Sequence, residues 1–395
     1  MKFNAFVLQI SGAYKVADKS DNQKILDLYN SLSMEGGVFS IRFVKDPDYF
    51  KFCNYEGPDH YIVIAVNDDG VAEGMANFNI RLSYLNGKKV NVCHISDLRL
   101  KRKKDRKANW SWTDLGNAIV SRPNEIDEMK GCNHFIGSYV GANKYAVSAI
   151  RDTSPWGISA ISDYEMVSIL GKMPQNDLEV NPSPESDLKI SISQAKESDI
   201  PQLKKYLDAQ NREKAFGYIY DVENGELERR FKVWDNFSIS SFYLARGTSG
   251  EILGCFATWS PTKGRRIIVD KFPEDMVLMA KEMGLFKKKV PQEGAELEIL
   301  YITNLEMNYK QTTDQKRFIF NELLKALYES GKVDDYHVLA FCDYYKEMLS
   351  PGMEKFYVLQ KNPTVLYQLH PKEGAVDVVN EEELKHPPGH EMVLT

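Results

Sequence analysis

Cysteine is scarce in this sequence, and its five copies are dispersed without a Cys-x-x-Cys pair. That pattern argues against a disulfide framework and predicts reduced thiols in a cytoplasmic protein. None of the seven histidines stands at a zinc-ligand spacing from a cysteine, so no structural zinc site is expected. No apolar run approaches the ~20 residues that span a bilayer. The amino terminus has no small-residue cleavage site, so we expect neither a membrane span nor a secretory signal.

Two glycine-rich signatures are also missing. The sequence has no Gly-x-x-x-x-Gly-Lys-[Ser/Thr] segment, which argues against a nucleoside-triphosphate loop. It has no Gly-x-Gly-x-x-Gly after its first strand either, which argues against a dinucleotide-binding fold. The formal net charge is −6, whereas a dedicated nucleic-acid-binding domain is usually basic. We therefore do not expect nucleic acid as a partner, but the overall acidity does not exclude a local anion site.

The length of 395 residues exceeds one ordinary hydrophobic core, so we expect two or three domains. Near the middle, residues 175–187 are rich in Pro, Asn, Asp and Ser, which predicts a linker. We therefore predict an amino-terminal domain over residues 1–174, a carboxy-terminal domain over residues 188–370 and a tail over residues 371–395. The tail contains Pro-Pro-Gly, so we expect a loop or a docked extension there.

The two predicted domains begin alike, with a short alternating strand, an Ala-Lys pair, a polar cap and an apolar stripe at helical spacing. The stripe residues are Ile25, Leu28, Tyr29 and Leu32 in the first half and Ile200, Leu203 and Leu207 in the second. In the first half, Asn86-Gly87 between alternating segments predicts a tight β-hairpin. Each half then continues as strand, loop, helix and strand, which predicts an α/β arrangement and an internal duplication.

The loop between the strand that ends near Leu100 and the helix that begins near Trp112, with Thr113 as its expected cap, is strongly basic. Seven of the nine residues from Arg99 to Lys107 are Lys or Arg. The first amides of a helix have no internal partners, and flanking cations strengthen the anion site that they form. The position of the loop therefore predicts a diphosphate site. The alternative is a solvated basic surface, which is the commoner role of such a run.

The same segment resembles a known family. HISDLRLKRKKDRKANWSWTDLGNAIV, residues 94–120, is similar to the core motif of the GCN5-related N-acetyltransferases (GNAT), in which a strand leads into an Arg/Gln-x-x-Gly-x-Gly/Ala loop and a helix. FVKDPDYFKF and YLNGKKVNV are similar to segments of bacterial tandem GNAT proteins, and the similarity is fainter in the second half. GANKYAVSAI resembles the family's Asn-x-x-Ala stretch near the pantetheine arm of the cofactor, with Asn143 and Ala146 at the matching positions. The resemblance implies an α/β (α+β) fold of two tandem GNAT-like domains, each a mixed, largely antiparallel sheet flanked by helices, the second a degenerate copy.

In that family the loop amides hold the pyrophosphate of coenzyme A, so the resemblance implies that this chain binds acetyl-CoA or another short acyl-CoA. The implied cofactor-binding residues are Leu98, Arg99, Leu100, Arg102, Lys104, Arg106, Lys107, Ala108, Asn109 and Asn143. If Arg106 is the leading residue of the motif, Asn109 stands where the first glycine belongs. Cationic side chains would then have to supply part of the phosphate binding.

Three residues are candidates for proton transfer. Asp97 and His94 are the candidate bases, and side chains three apart on a strand point to opposite faces, so at most one of them faces the acceptor. The tyrosine that protonates the leaving thiolate in many family members falls at Ile150, which cannot donate. Tyr145 is therefore the candidate acid, with Tyr139 as an alternative. Each of these residues could instead serve the fold, as a paired or core side chain.

The resemblance thus predicts an N-acyltransferase that moves an acetyl or short acyl group from acyl-CoA to the primary amine of a small molecule or peptide, by direct attack in a ternary complex. One alternative is a catalytically inactive GNAT-fold binding or scaffold protein, because loop glycines and the tyrosine are missing. A second alternative is a protein that contacts nucleic acid through residues 99–107.

Overall fold

The computed structural model describes residues 1–32, 40–140, 156–173, 188–223, 225–271, 291–372, 378–380, 382 and 384–394. This part of the chain contains the helices α1 Phe3–Ile10, α2 Asn22–Ser31, α3 Tyr49–Glu56, α4 Trp112–Ser121, α5 Ile200–Arg212, α6 Glu226–Val233 and α7 Thr313–Glu329. None of these helices is long and apolar enough to cross a membrane.

The strands of the described residues are β1 Tyr14–Val16, β2 Ser40–Val44, β3 Asp59–Val66, β4 Ala72–Leu85, β5 Lys88–Leu100, β6 Cys132–Val140, β7 Trp156–Lys172, β8 Ser191–Gln194, β9 Gly217–Tyr218, β10 Phe242–Arg246, β11 Ile252–Trp259, β12 Arg266–Lys271, β13 Ile299–Met307, β14 Val338–Tyr344 and β15 Tyr357–Pro371. Thirteen of them form one sheet in the order β1-β3-β4-β5-β6-β15-β7-β14-β13-β11-β10-β8, with β9 paired to β4. β2 and β12 pair separately, so one strand from each half of the chain forms a second, small sheet.

The two halves of the chain exchange their last strands. β7, from the first half, pairs with β14 of the second half, and β15, from the second half, pairs with β6 of the first. β7 and β15 also pair with each other over nearly their whole length. Read inward from either edge, the sheet repeats the same order: three antiparallel strands, a fourth strand parallel to a fifth, and then a strand from the other half. The predicted α/β fold with a mixed, largely antiparallel sheet is confirmed.

Helices cover both faces of the sheet. In the first half, α1 and α4 pack on one face around Phe78, and α2 and α3 pack on the other face around Met75. These two residues of β4 are an odd number of positions apart, so their side chains go to opposite faces. In the second half, α7 buries Phe320 and Leu323 against β13 and β14. A further core lies between the halves and brings α3 together with Trp259 of β11.

Two local predictions can be compared with the structure. Asn86 and Gly87 both have positive φ, at 49° and 75°, and connect β4 to β5, so the predicted hairpin is confirmed. The helix after the basic loop begins at Trp112 as expected, but its cap is Ser111 rather than Thr113. Ser111 has the extended backbone of a cap and its hydroxyl accepts from the Asp114 amide, whereas Thr113 already lies within the helix.

The strand exchange predicts how the molecule unfolds. Because β7 and β15 each complete the sheet of the other half, we expect both halves to unfold in one cooperative transition. Tryptophan fluorescence and far-UV circular dichroism should give coincident curves in a urea titration. Two separated transitions would show that each half is stable without the strand it receives.

Candidate functional site

An opening in the sheet lies beside the basic loop. β5 and β6 run parallel, and the last residues that pair between them are His94 and Ile136. Beyond this point β5 remains paired only with β4, and β6 only with β15, where Gly137 lies opposite Tyr367. The two parallel strands therefore part, and the gap between them leads toward the loop that follows β5.

A β-bulge lies on the β5 side of this opening. Asp97 and Leu98 stand opposite the single residue Ala76 of β4. Asp97 has φ 51°, in the left-handed region that Asp and Asn tolerate better than most residues. A bulge leaves an extra residue outside the ladder and re-aims the strand, which makes it a common feature of active sites. The predicted residues Leu98, Arg99 and Leu100 lie at this bulge and directly after it.

Buried partners fix Asp97 at the bulge. Its carboxylate forms an ion pair with Lys45, which is 1% exposed, and accepts a hydrogen bond of 2.6 Å from the hydroxyl of Tyr49. Burial alone raises the pKa of Asp97, but the charges of Lys45 and Arg99 and these hydrogen bonds outweigh it, so the pKa lies below its usual value. The carboxylate is therefore ionised and engaged, which favours an anchoring role for Asp97. Its role as a base stays a prediction.

His94 occupies the point where the strands part. It is buried, and its ring lies 5.7 Å, centroid to centroid, from that of His390 near the end of the chain. Burial and the charge of Arg81 lower the pKa of His94 to about 4, so its imidazole is neutral at pH 7. The side chain therefore faces the segment that contains His390.

Glu56, at the end of α3, is a functional candidate that the sequence did not reveal. Its Oε2 accepts hydrogen bonds from the Asn77 amide at 2.9 Å and from the Ser96 hydroxyl at 3.1 Å. Burial raises the pKa of Glu56, and although the nearby charge of Lys45 lowers it, the pKa stays above its usual value. Ser96 directly precedes the bulge, so a carboxyl that binds a proton near neutral pH lies one residue from it. The hydrogen-bond partners are 21 and 40 residues away along the chain, which is why no local motif marks Glu56.

The basic loop leads from β5 to α4 over residues 101–111. Arg102, Lys103 and Lys104 are exposed, and among the described residues none of them forms an ion pair with a carboxylate. Arg106 instead serves the loop itself: its guanidinium lies 3.9 Å from the centre of the Trp110 ring, and its Nε donates to the Lys101 carbonyl at 2.8 Å. Of the predicted cofactor residues, Arg102 and Lys104 are therefore available to a ligand, whereas Arg106 braces the loop.

Lys107 and Ala108 are predicted to bind the cofactor, but their backbone amides already donate to a carboxylate of the protein itself. The carboxylate of Glu73, a residue of β4 that is 1% exposed, accepts from the Lys107 amide at 2.9 Å and from the Ala108 amide at 3.1 Å. The Trp110 Nε1 at 3.4 Å and the Asn67 amide at 3.0 Å complete its set of donors. Burial raises the pKa of Glu73, but these hydrogen bonds bring it below its usual value. A phosphate could use the Lys107 and Ala108 amides only by displacing Glu73.

Two backbone amides in the first turn of α4 are still available to a ligand of the loop. Ser111 caps the helix by accepting from the Asp114 amide at 3.3 Å. The amides of Trp112 and Thr113 precede the first intrahelical bond and so have no acceptor within the helix. Together with the three exposed cations, they present positive charge at one edge of the opening. This arrangement suits a phosphate group better than a neutral ligand.

The comparisons with known proteins address the fold. No family model matches the sequence, and no curated protein matches it in sequence. Among solved structures, N-myristoyltransferase of Saccharomyces cerevisiae with bound myristoyl-CoA is similar with a TM-score of 0.55 and 12% identity, over 93% of this chain and 87% of that one. A GCN5-related N-acetyltransferase from Sphaerobacter thermophilus is similar with a TM-score of 0.51 and 14% identity, over 93% and 98%.

A third similar structure contains the GCN5-related glucosamine N-acetyltransferase region of a fungal multi-domain GH3 beta-N-acetylglucosaminidase. Its TM-score is 0.56 at 9% identity, over 90% of this chain and 38% of that chain. The chain has the GNAT fold. At these identities the likeness establishes the architecture alone, so the assignment of residues to roles in this GNAT fold rests on the geometry described above.

Other predicted residues lie outside the described part of the chain or have side chains that point away from the loop. Tyr145 and Asn143 lie outside the described residues. Tyr139, the alternative acid, packs in the core on Tyr367 of β15, with ring centroids 5.3 Å apart. Arg99 turns away from the loop and lies over the ring of Tyr29, at 4.9 Å. The structure thus brings together the bulge, Glu56 and the exposed loop cations, and turns part of the predicted phosphate set inward.

The internal anion gives a first prediction for this site. Glu73→Ala leaves four donors without their acceptor, so we expect the free energy of unfolding to fall by about 3 kcal/mol. Urea titration at pH 7 measures it, with exposed Glu329→Ala as the control. Because the pKa of Glu73 is lowered by folding, its contribution should be present above the ordinary glutamate value of ~4.3 and be lost as the pH falls below it. Equal stabilities of the two variants at pH 7 would contradict this assignment.

Glu56 gives a second prediction, in which stability changes with pH in the opposite direction. Its pKa is raised by folding, so the native state binds more protons than the unfolded state above pH ~4.3. Stability should therefore fall as the pH rises through this window, by at most about 1.4 kcal/mol per pH unit. Glu56→Gln removes this slope, and Glu329→Gln should leave it unchanged. Urea titrations from pH 5 to 8 test this, and parallel curves for the wild type and Glu56→Gln would refute it. The charged groups that face Glu56 are Lys45, Asp97 and Arg265.

Proposed function

We propose that the protein is an N-acyltransferase that uses an acyl-CoA as donor and a primary amine as acceptor. The observation that supports this most is the opening between β5 and β6, which has a bulge on one side and leads into a basic loop and the start of α4. This one edge combines a gap for an extended ligand, backbone amides outside the ladder and a phosphate-binding surface. The likeness in fold to structures of acyltransferases agrees with the proposal.

The donor would be held by its phosphates at the loop. Exposed Arg102, Lys103 and Lys104 and the first amides of α4 would bind the pyrophosphate, and Asn109 would stand beside them. This set differs from an all-amide cradle because Glu73 already occupies the Lys107 and Ala108 amides. Charge-assisted contacts from side chains replace part of the backbone binding. We propose acetyl-CoA or another short acyl-CoA as the donor. Because one similar structure holds myristoyl-CoA, the experiment below also varies the length of the acyl chain.

The bound acyl-CoA supplies a thioester, and the protein supplies position and polarity. The bulge amides near Leu98 would donate to the carbonyl oxygen as negative charge develops there. The amine nitrogen forms the new bond to the acyl carbon, the carbon–sulfur bond breaks, and the amine loses a proton. Glu56, through Ser96, is the better placed proton acceptor, with His94 and Asp97 as the other candidates. Tyr145 is proposed as the acid for the thiolate.

We further propose that the amino-terminal half, residues 1–174, is the acyl-CoA-binding domain, and that residues 188–370 form a degenerate second domain. The loop before α7 has fewer cations than the loop before α4, with Lys310 as a single positive charge between Met307 and Thr313. An acceptor such as a small-molecule or peptide amine then approaches the opening from the face opposite α4, where Glu56 lies.

A charge-neutralising variant tests the proposed phosphate site. The double variant Arg102→Gln/Lys104→Gln removes two exposed cations, so we expect acetyl-CoA affinity to fall about 10- to 100-fold and its dependence on salt to weaken. Lys88→Gln/Lys89→Gln, at the exposed β4–β5 turn, is the matched control. Calorimetric titration with acetyl-CoA, longer acyl-CoAs and free CoA, repeated at several salt concentrations, measures the affinity and its dependence on salt. No binding of any of these ligands, or an equal loss in both variants, would overturn the assignment.

A second measurement separates the enzyme from the alternative. Release of the CoA thiol over a panel of primary amines should show turnover that Glu56→Gln slows by at least 10-fold, with a shifted pH profile, and without a matching loss of acetyl-CoA affinity. Acyl-CoA binding without turnover on any amine supports a GNAT-fold binding or scaffold protein instead.

A further inference from the structure

The second half of the sheet contains the same opening as the first. β13 and β14 run parallel, and Tyr301 and Ala340 are the last residues that pair between them. Directly after this point, Asn304 and Leu305 of β13 stand opposite the single residue Phe256 of β11. Asn304 has φ 50°, nearly the value of Asp97 at the first bulge. Each half therefore has parting parallel strands with a bulge beside them.

A glutamate stands at the same place beside both bulges. In the first half, the hydroxyl of Ser96, just before the bulge, donates to Glu56 at 3.1 Å. In the second half, the hydroxyl of Thr303, also just before the bulge, donates to the carboxylate of Glu391. The first glutamate belongs to a helix of its own half, whereas the second comes from the segment 384–394 near the end of the chain.

The bulge residues are held by matching cations. Asp97 pairs with buried Lys45, and Asn304 accepts from the buried guanidinium of Arg230 at 2.7 Å. Tyr220 accepts from the Asn304 amide at 2.8 Å and completes the second set. The two sites are thus built on one plan, and in the second the carboxylate is delivered by a segment that lies across the opening.

Arg230 is the main anchor of this segment. Its guanidinium is fully buried, and it binds the Glu391 carboxylate at 2.6 Å and Glu226 of α6 at 2.8 Å. Removing one partner of a buried charge pair costs more than the pair contributes, because the other charge is left in the interior. The site around Arg230 is therefore built to hold two carboxylates, one of which is supplied by the segment.

The backbone of the segment is bound at β14 and, further along, by the residue that precedes β12. The His390 carbonyl accepts from the Tyr344 hydroxyl of β14 at 3.2 Å, and the Val393 carbonyl accepts from the guanidinium of Arg265 at 3.1 Å. Val393 and Leu394 are 2% and 4% exposed in the core between the halves. Proteins bind peptide segments through this combination of main-chain contacts, a buried acidic side chain and buried apolar side chains.

The start of α7 offers fewer donors and cations to a phosphate than the start of α4. Thr312 and Gln315 form a capping box: the Gln315 amide donates to the Thr312 hydroxyl at 3.3 Å, and the Thr312 amide donates to the Gln315 side chain at 3.0 Å. These bonds satisfy two donors that an anion would need. The second half therefore lacks the charge for a pyrophosphate and has a chain segment across its opening.

We infer that the opening of the second half is a peptide-binding site whose resident ligand is the chain's own segment 384–394, recognised through Glu391. The ligand class is a segment that carries one glutamate followed by apolar residues, which form a 3-10 turn over Met392–Leu394. The contacts of Glu391 are distinct from the acyl-CoA site proposed for the first half, although His390 of the same segment lies against His94 there. The inference remains testable even if no acyl-CoA binds.

Hydrogen exchange on the full-length chain tests the inference. In the wild type, amides of residues 384–394 should be protected. Glu391→Gln removes the charge opposite Arg230, so their exchange should accelerate about 10- to 100-fold. The control is Glu382→Gln, at an exposed glutamate just before the segment, which should leave the exchange unchanged. Thr303→Val removes the hydroxyl that donates to Glu391 and accepts from Arg230 at 3.5 Å. It should give a smaller acceleration, and it serves as the test if Glu391→Gln does not fold.

A peptide added in trans tests the ligand class. The synthetic peptide Lys-His-Pro-Pro-Gly-His-Glu-Met-Val-Leu-Thr, residues 385–395, should bind the full-length Glu391→Gln chain at least 10-fold more tightly than a peptide with Gln in place of Glu. The wild-type chain should bind neither, because its own segment competes at a high effective concentration. Unprotected amides in the wild type, equal exchange in Glu391→Gln and Glu382→Gln, or equal affinity for the two peptides would overturn the inference.

Discussion

The exchange of β7 and β15 is the constraint on which the rest of this structure depends. Each of these strands completes the sheet of the half that it does not belong to, so the parallel pairs β5–β6 and β13–β14 are held in one continuous sheet. The two openings are therefore fixed relative to each other. A segment of modest length can then lie at both of them, as the tail does when His390 contacts His94 and Glu391 contacts Thr303.

Buried charge sets the shape of both bulges. A left-handed backbone at a position with a side chain is unfavourable, and it persists when the surroundings determine it. Lys45 supplies that constraint for Asp97, and Arg230 supplies it for Asn304. Desolvation offsets most of the Coulomb energy of such contacts. They therefore fix the position of the bulge residues more than they stabilise the fold. The cations thus hold the amides of each bulge in place before any ligand is bound.

Local features of the fold followed from the sequence, and long-range ones did not. The hairpin at Asn86-Gly87, the strand that ends at Leu100 and the helix from Trp112 each depend on neighbouring residues, and the structure has all three. Patterns of this kind cannot show that β15 inserts beside β6, that Glu73 reaches amides 34 and 35 residues away, or that Glu391 reaches a cation 161 residues away. The sequence therefore indicated the basic loop but not which of its donors are free.

The loop's lack of glycine and its internal carboxylate are linked. A loop with side chains at Lys107 and Asn109 cannot lay its backbone as closely against a phosphate as a glycine loop can. Glu73 accepts hydrogen bonds from the inward-facing amides of Lys107 and Ala108. The stacking of Arg106 on Trp110 holds the same part of the loop in place. The loop is thus ordered without a ligand, so it loses less conformational entropy on binding than a flexible loop would. Affinity for an anion then depends on the exposed cations and the first turn of α4, and salt screens the contribution of those cations more strongly than that of a buried amide cradle.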